Sequence, residues 1–251
     1  MTIPERKRKP LGGKSYGHIA HLPGSRMGVG DHKCHEGQKR IATEKARDRH
    51  DLVIVQEKVD GSNVGIARID GMIYPITRAG YLVDTSPFEQ HWRFGEWVYS
   101  QQDRFLACLQ DGERLCGEWL MQAHGTRYKL PHEPFVVFDL IRGNERATLN
   151  ELSERVKEQE FVLPRLLHRG SPFSIASALE AIAVSGHGAI DPVEGAVWRV
   201  ERNEVINPRQ GGDRAWKVDF LAKYVRPEKQ DGIYLPEQSG GEPIWNWRPE
   251  W

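Results

Sequence analysis

The feature that most constrains this chain is a short β-branched run, Leu52-Val53-Ile54-Val55, that ends in the charged stretch Glu57-Lys58-Val59-Asp60-Gly61-Ser62-Asn63. Such a run reads as a strand buried on both faces, and Asp-Gly is a strong turn signal. A lysine is therefore carried to the end of a buried strand, facing whatever cleft the sheet supports. Downstream, VGIARI (64–69) and MIYPI (72–76) alternate and are separated by Asp70-Gly71, the short hairpin signal.

Further strands are predicted at 114–120 (RLCGEWL), 135–141 (FVVFDLI), 194–200 (EGAVWRV) and 215–220 (AWKVDF). Helical spacing of Phe88, Trp92, Trp97, Phe105, Leu106 and Leu109 predicts one or two amphipathic helices with those side chains in the core. Two more helices are expected near 149–159 and 174–184, the second capped by Ser174. Hairpin-linked strands interrupted by helices argue for the α+β class, with antiparallel sheets flanked by helices. No repeat or linker interrupts the pattern. The expectation is a basic disordered tail over residues 1–10 and a single domain over 11–251. Residues 11–37, rich in Gly and His, read as a long loop.

With 35 Lys and Arg against 35 Asp and Glu, no global field draws in nucleic acid or an anionic surface, so anion binding must come from local clusters. No stretch reaches the roughly 20 apolar residues of a membrane helix, and the basic start lacks the apolar region of a signal peptide. Three cysteines make no disulfide framework, consistent with a cytoplasmic location and no membrane partner. The cluster His32-Lys33-Cys34-His35 lacks a second ligand pair at finger spacing.

Four predicted strands carry charges where a core strand should not: Lys58, Glu118, Glu194 and Lys217. Each alone also fits a half-exposed surface position. Together they point to one shared polar site, because ionised groups near a core are costly unless paired or solvated in a cleft. No P-loop, nucleophile elbow or zinc-protease motif is present. A lone lysine among acidic residues and further lysines suits covalent nucleotidyl transfer, in which the amine attacks an α-phosphate. The attack needs a neutral amine, and neighbouring cations such as Lys217, or a divalent metal, favour that form. Glu194 and Asp60 offer the hard oxygen ligands that magnesium takes.

These residues resemble the covalent nucleotidyltransferases, and most closely the ATP-dependent RNA ligases. The KxDG signature is Lys58-Val59-Asp60-Gly61. In order follow Thr77-Arg78-Ala79-Gly80, Cys116-Gly117-Glu118-Trp119, Phe135-Val136-Val137-Phe138-Asp139, Glu194-Gly195-Ala196-Val197-Trp198-Arg199 and Ala215-Trp216-Lys217-Val218-Asp219, resembling the later motifs of the family. The resemblance implies the ligase adenylation (nucleotidyltransferase) fold, ATP as substrate with AMP carried on Lys58, and Mg2+ or Mn2+. It implies Lys58, Asp60 and Lys217 as catalytic residues, and Glu194 and Asp60 at the metal. Glu57 would lie against the adenine, Arg78 and Glu118 would hold ribose and phosphates, Phe138 would stack on the base, and Lys217 would grip the α-phosphate. Asn63, where DNA ligases of this family usually have arginine, implies RNA with 3′-OH and 5′-phosphate ends, with end-healing enzymes as partners.

Three departures stand out. Asp219 replaces the second lysine of the last motif, so either Lys223 or Arg226 stands in for it. The stretch after Lys217 is too short for the OB-fold many relatives append, and PIWNWRPEW, with Trp245, Trp247 and Trp251, reads as a strap on the domain. The HLPGSR segment places His21 and Arg26 either near a phosphate or RNA end or in a structural loop. A minimal DNA nick ligase and a non-catalytic binder of nucleotides or nucleic-acid ends remain alternatives to the RNA ligase reading.

Overall fold

The computed structural model describes residues 9–206 and 212–248. The tail expected over residues 1–10 falls almost wholly outside them, as does Trp251. Strands β1 (Ala20–His21), β2 (Asp51–Lys58), β8 (Leu166–Gly170), β9 (Gly195–Val205) and β10 (Arg214–Val225) form one sheet in the order β1-β10-β9-β2-β8. Strands β3 (Ser62–Ile69), β4 (Met72–Thr77), β5 (Glu113–Trp119), β6 (Phe135–Arg142) and β7 (Glu145–Arg146) form the other, in the order β4-β3-β5-β6-β7. Among these ten strands every pairing is antiparallel except β1 with β10. The α+β expectation holds.

Alternation along the strands assigns the faces. In the first sheet Val53, Val55, Ala196, Trp198, Val200 and Ala222 share one face, packed under helices Glu36–Thr43 and Ile175–Ala181 through Ala42 and Ala178. Ser174 caps the second helix as expected, its side chain accepting from the Ser177 amide. The other face carries Gln56, Lys58, Val197, Arg199, Leu221 and Lys223, and all six line a pocket whose far wall comes from the second sheet.

The second sheet turns its apolar face outward, away from that pocket. Val64, Ile66, Leu115, Trp119, Phe135 and Val137 meet helices Glu89–Ser100, Gln102–Cys108 and Leu149–Lys157 through Phe94, Trp97, Phe105 and Leu152. The rings of Phe94, Trp97, Phe105, Trp119 and Phe135 stand 5.2–6.4 Å apart in edge-on, tilted or stacked pairs, each pair adding about 0.5–1.5 kcal/mol beyond burial. Truncating the buried Phe135 to alanine would cost about 3–5 kcal/mol. Phe88 and Trp92 depart from the expectation that the aromatics of this stretch are all core: they are 42% and 48% exposed. Trp92 Nε1 still donates to the Ser86 carbonyl at 2.7 Å.

Two local features aim side chains at the pocket. At the β3–β4 turn Asp70 and Gly71 both have positive φ, 51° and 75°, the pattern a two-residue hairpin loop requires. Between β5 and β6 the register shifts, Cys116 opposing Asp139 and Gly117 opposing Val137, so Phe138 is the extra residue of a bulge and both Phe138 and Asp139 reach the pocket. The strap reading holds where the chain is described: the Asn246 amide donates to the Met121 carbonyl at 2.8 Å, and Trp247 stands 6.5 Å from Trp119. Residues 11–37 are less irregular than expected, since β1 and the start of helix Glu36–Thr43 lie within them. No described helix is long and apolar enough to cross a membrane.

Candidate active site

Lys58 is the last residue of β2, opposite Gly195 of β9, on the face that looks toward the second sheet. A side chain at position 195 would collide with the Tyr224 carbonyl, 1.9 Å from an ideal Cβ, so only glycine lets β9 and β10 close here. Gly61 is similarly enforced, its Cβ position being 2.4 Å from the Trp119 carbonyl. That close approach lets the Gly61 amide donate to Glu118 Oε1 at 3.2 Å. The glycines following Glu194 and Asp60 thus draw the carboxylates of Glu194 and Glu118 toward one lysine.

Lys58 Nζ lies 2.6 Å from Glu194 Oε2. Burial alone would lower the Lys58 pKa, but Glu194, Glu118 and Asp60 outweigh it and hold the ammonium above the ordinary lysine value. Burial raises the Glu118 carboxyl to about 8, with Lys58 opposing and Glu194 and Asp60 reinforcing the shift. Burial raises the Glu194 carboxyl as well, against the pull of Lys58. Lys58 therefore rests as an ammonium beside two carboxyl groups that ionise reluctantly. An added cation would relieve both carboxyls.

The structure gathers Glu57, Lys58, Asn63, Arg78, Glu118, Phe138 and Lys223 around one pocket. Asn63 Oδ1 is buried there without a hydrogen-bond partner among the described residues. Arg78 donates to the Gly17 carbonyl at 3.2 Å. Glu57 lines the pocket, but its carboxylate belongs to a loop, accepting from Ser185 Oγ at 2.6 Å and the Gly186 amide at 2.8 Å. Its side chain points to the sheet face opposite Lys58, because neighbouring strand residues alternate.

Three expected placements are corrected. Lys217 does not reach the pocket. It opposes Arg202, whereas Lys223 opposes Val197, and it borders a separate groove with Arg142, Glu151 and Asp219. Six residues of strand separate the two lysines by roughly 20 Å, and the bulge at Asp219 intervenes. Of the two candidates for the missing motif lysine, Lys223 lines the pocket, while Arg226 is turned onto the Val193 carbonyl and Glu228. Arg26 is likewise absent from the pocket lining and pairs with Asp231. Asp60 adjoins Lys58, but its carboxylate is engaged by Lys229 Nζ at 2.8 Å and the Gly125 amide at 2.9 Å. Burial would raise its pKa, yet Lys229 and Lys58 hold it low.

Sequence reasoning passed over several residues that build the site. Tyr16, from the segment read as a loop, lines the pocket, donates to Asp139 Oδ2 at 2.6 Å and meets the Phe138 ring edge-on at 5.0 Å. Arg199 of β9 pairs with the buried Asp139 of β6 and donates to the Phe138 carbonyl at 3.0 Å, tying the two sheets across the pocket floor. A buried arginine in one motif and a buried aspartate in another were the available signal, since such charges require each other. Lys229 carried no signal in its surroundings.

Metal fit follows from these donors. Among the described residues no three His, Cys, Asp or Glu side chains gather as a cage. Glu194 and Glu118 both adjoin Lys58 electrostatically, and magnesium is commonly held by one or two carboxylates, with water and substrate phosphate completing its shell. The donor set fits that mode, with Asp60 occupied by Lys229.

Two facing antiparallel sheets, a lysine on one and carboxylates from both define the covalent nucleotidyltransferase fold of the ATP-dependent ligases. The RNA ligase family matches residues 51–225, more than half of the chain, and the chain belongs to that family. Similar solved structures include a lysine-to-alanine variant of the Naegleria gruberi RNA ligase with ATP and Mn, at 15% identity and a TM-score of 0.50, covering 85% of this chain and 58% of that one. An archaeal ATP-dependent RNA ligase matches at 20% identity and 0.42, covering 70% and 43%. A candidate ATP-dependent DNA ligase of Aquifex aeolicus matches at 18% and 0.45, covering 84% and 49%. The chain spans about half the length of these structures. No curated protein matches it in sequence.

Proposed function

We propose that this chain is an ATP-dependent RNA ligase that works through AMP carried on Lys58 and joins an RNA 3′-OH to a 5′-phosphate. The observation that carries the reading is the pairing of Lys58 with Glu194 at the wall of a pocket that also holds Arg78, Glu118, Phe138 and Lys223.

In the first step the Lys58 ammonium gives up a proton, and its neutral Nζ bonds to the α-phosphorus of ATP. The bond from that phosphorus to the bridging oxygen breaks, pyrophosphate leaves, and a second proton departs as the lysyl-AMP forms. A 5′-phosphate oxygen of the RNA then bonds to that phosphorus while its bond to Nζ breaks and Nζ takes its protons back; next the 3′-hydroxyl oxygen, giving up its proton, bonds to the RNA 5′-phosphorus as the bond to AMP breaks and AMP leaves. Phe138 offers an apolar face to the base, while Arg78 and Lys223 offer cations to ribose and phosphate, where charge stabilisation dominates such transfers.

Mg2+ or Mn2+, held through Glu194 and Glu118, would neutralise phosphate charge and draw the anionic partner from Lys58. Asn63 supports RNA ends, because an amide both donates and accepts hydrogen bonds and can read a 2′-hydroxyl. The reading carries with it a role in RNA repair, enzymes that heal damaged ends as partners, and a cytoplasmic setting. The test is sealing of matched RNA and DNA nicks with ATP and magnesium. Sealing of the RNA nick is expected; sealing of DNA alone would overturn the substrate assignment.

A further inference from the structure

The segment His21-Leu22-Pro23-Gly24-Ser25-Arg26 and the turn that follows it lie outside the residues that match the RNA ligase family. They are nevertheless stitched onto the strand that carries Lys223. β1 runs parallel to β10 with His21 opposite Lys223, and the Leu22 amide donates to the Lys223 carbonyl at 2.8 Å. Two residues on, the Val225 amide donates to Ser25 Oγ at 2.9 Å and the Arg26 amide to the Val225 carbonyl at 2.9 Å. The chain then doubles back, so that the His21 amide donates to the His32 carbonyl at 2.8 Å and the Cys34 amide to the His21 carbonyl at 2.9 Å.

This return brings Asp31 beside Lys223. The Gly28 amide donates to Asp31 Oδ2 at 2.9 Å, and His21 Nε2 lies 3.0 Å from the same oxygen. The His21 contact is off the hydrogen-bonding direction, leaving Nε2 without an aligned partner among the described residues, so the two are held side by side by packing rather than by a hydrogen bond. Ser25 Oγ, already accepting from Val225, sits 2.6 Å from His21 Nδ1 and 3.3 Å from the Arg26 carbonyl, and along the shorter contact its proton goes to Nδ1. That assignment leaves the remaining imidazole proton on Nε2, toward the carboxylate. Asp31 is thus held by the exposed Gly28 amide on one side and lies against the buried His21 ring on the other.

Its other oxygen, Oδ1, lies 3.7 Å from Lys223 Nζ and is the ammonium's one ion-pair partner among the described residues. At that separation the charges attract, but no hydrogen bond forms. Among the described residues no hydrogen-bond acceptor takes the three N–H groups of Lys223. Lys58 lines the same pocket and repels Lys223, while its own carboxylate is Glu194. Each of the two lysines therefore has a separate acidic partner, one within the family region and one outside it.

We infer that Asp31, braced by Gly28 and His21, is a positioning residue that holds the Lys223 ammonium at the phosphate wall of the pocket with its donors free for phosphate oxygens. The inference rests on the proposed reading of the pocket as a nucleotide site. Asp31 touches Lys223 and no reacting atom, so its effect must pass through that lysine.

The test is a double-mutant cycle with Asp31→Asn and Lys223→Met, read two ways. Calorimetry in a Lys58→Ala background gives ATP affinity without covalent transfer; quenched-flow labelling with Lys58 intact gives the rate of AMP transfer. Asp31→Asn should weaken one or both by about tenfold, should add nothing once Lys223 is methionine, and should be largely rescued by Asp31→Glu. A residue that merely supports the fold would instead add its full effect to Lys223→Met. Additive effects, or an Asp31→Asn protein equal to wild type in both readouts, would overturn the inference. Coupled ATP binding in a protein that takes no label would defeat the proposed ligase while leaving the inference intact. Absence of ATP binding in the wild type would overturn both.

Discussion

Lys58 Nζ and Glu194 Oε2 stand 2.6 Å apart, joining the end of β2 to the residue just before β9. This pair explains how a lysine survives in a largely buried cleft, and it also holds the amine in its unreactive, protonated form. Anything that draws the carboxylate away would favour the neutral amine.

Activity should accordingly climb with pH. The Lys58 pKa is raised, so the neutral-amine fraction rises up to tenfold per pH unit through and above neutrality, with a shallower slope around pH 8, where Glu118 gains a charge that strengthens its hold on the ammonium. Single-turnover AMP transfer at limiting magnesium, followed from pH 6 to 9, should show this slope. Glu194→Gln without metal should make Lys58 acylate faster with an amine reagent at neutral pH, read by peptide mapping.

The two lysines of β10 should behave oppositely. Lys223→Ala should slow AMP transfer by about a hundredfold, the scale for losing one preorganised donor to a reacting oxyanion. Lys217→Ala should stay within about twofold of wild type, because Lys217 borders a different groove. Transient kinetics on the two variants distinguishes them.

Arg199 is expected to matter for stability. Its guanidinium is buried and pairs with the buried Asp139 across the two sheets. Arg199→Met should cost about 3–5 kcal/mol in urea unfolding, since it strands a buried carboxylate. Tyr16 and Arg146 still reach Asp139 and set the lower end of that range.

Acid should destabilise the protein through His187. Burial, with His132 and Arg165 nearby, lowers its pKa to about 4, below the ordinary 6.5. The unfolded chain therefore binds the proton that the folded chain refuses, so stability falls as pH drops from about 6.5 to about 4, by at most about 3 kcal/mol from this residue. His187→Asn should flatten that part of the stability curve in chemical denaturation. His187 accepts from the Arg165 amide and adjoins His132, so the variant will be weaker overall at neutral pH.

The sequence made the position of Lys58 beside Glu194 and Glu118, and both sheets, legible because they rest on local signals: a β-branched run, an Asp-Gly turn, charges interrupting strands. Lys217 was misplaced because a bulge at Asp219 and the pairing register lie between it and the pocket, and neither is written in spacing. Asp60 looked like a metal ligand until Lys229, distant in sequence, claimed its carboxylate. The placements of Tyr16 and Asp31 were hidden for a related reason. Their stretch has little regular structure of its own: Tyr16 is held by backbone bonds to Arg78 and by Asp139, and Asp31 by the turn that follows the bonds of residues 22–26 to β10, none of which periodicity records.

Intact-mass and peptide mass spectrometry after incubation with ATP and magnesium tests the central claim most directly. The expected result is a gain of one AMP, mapped to Lys58 and absent from Lys58→Ala. A well-folded wild-type protein that gains no AMP, or carries it on another residue, would contradict the account.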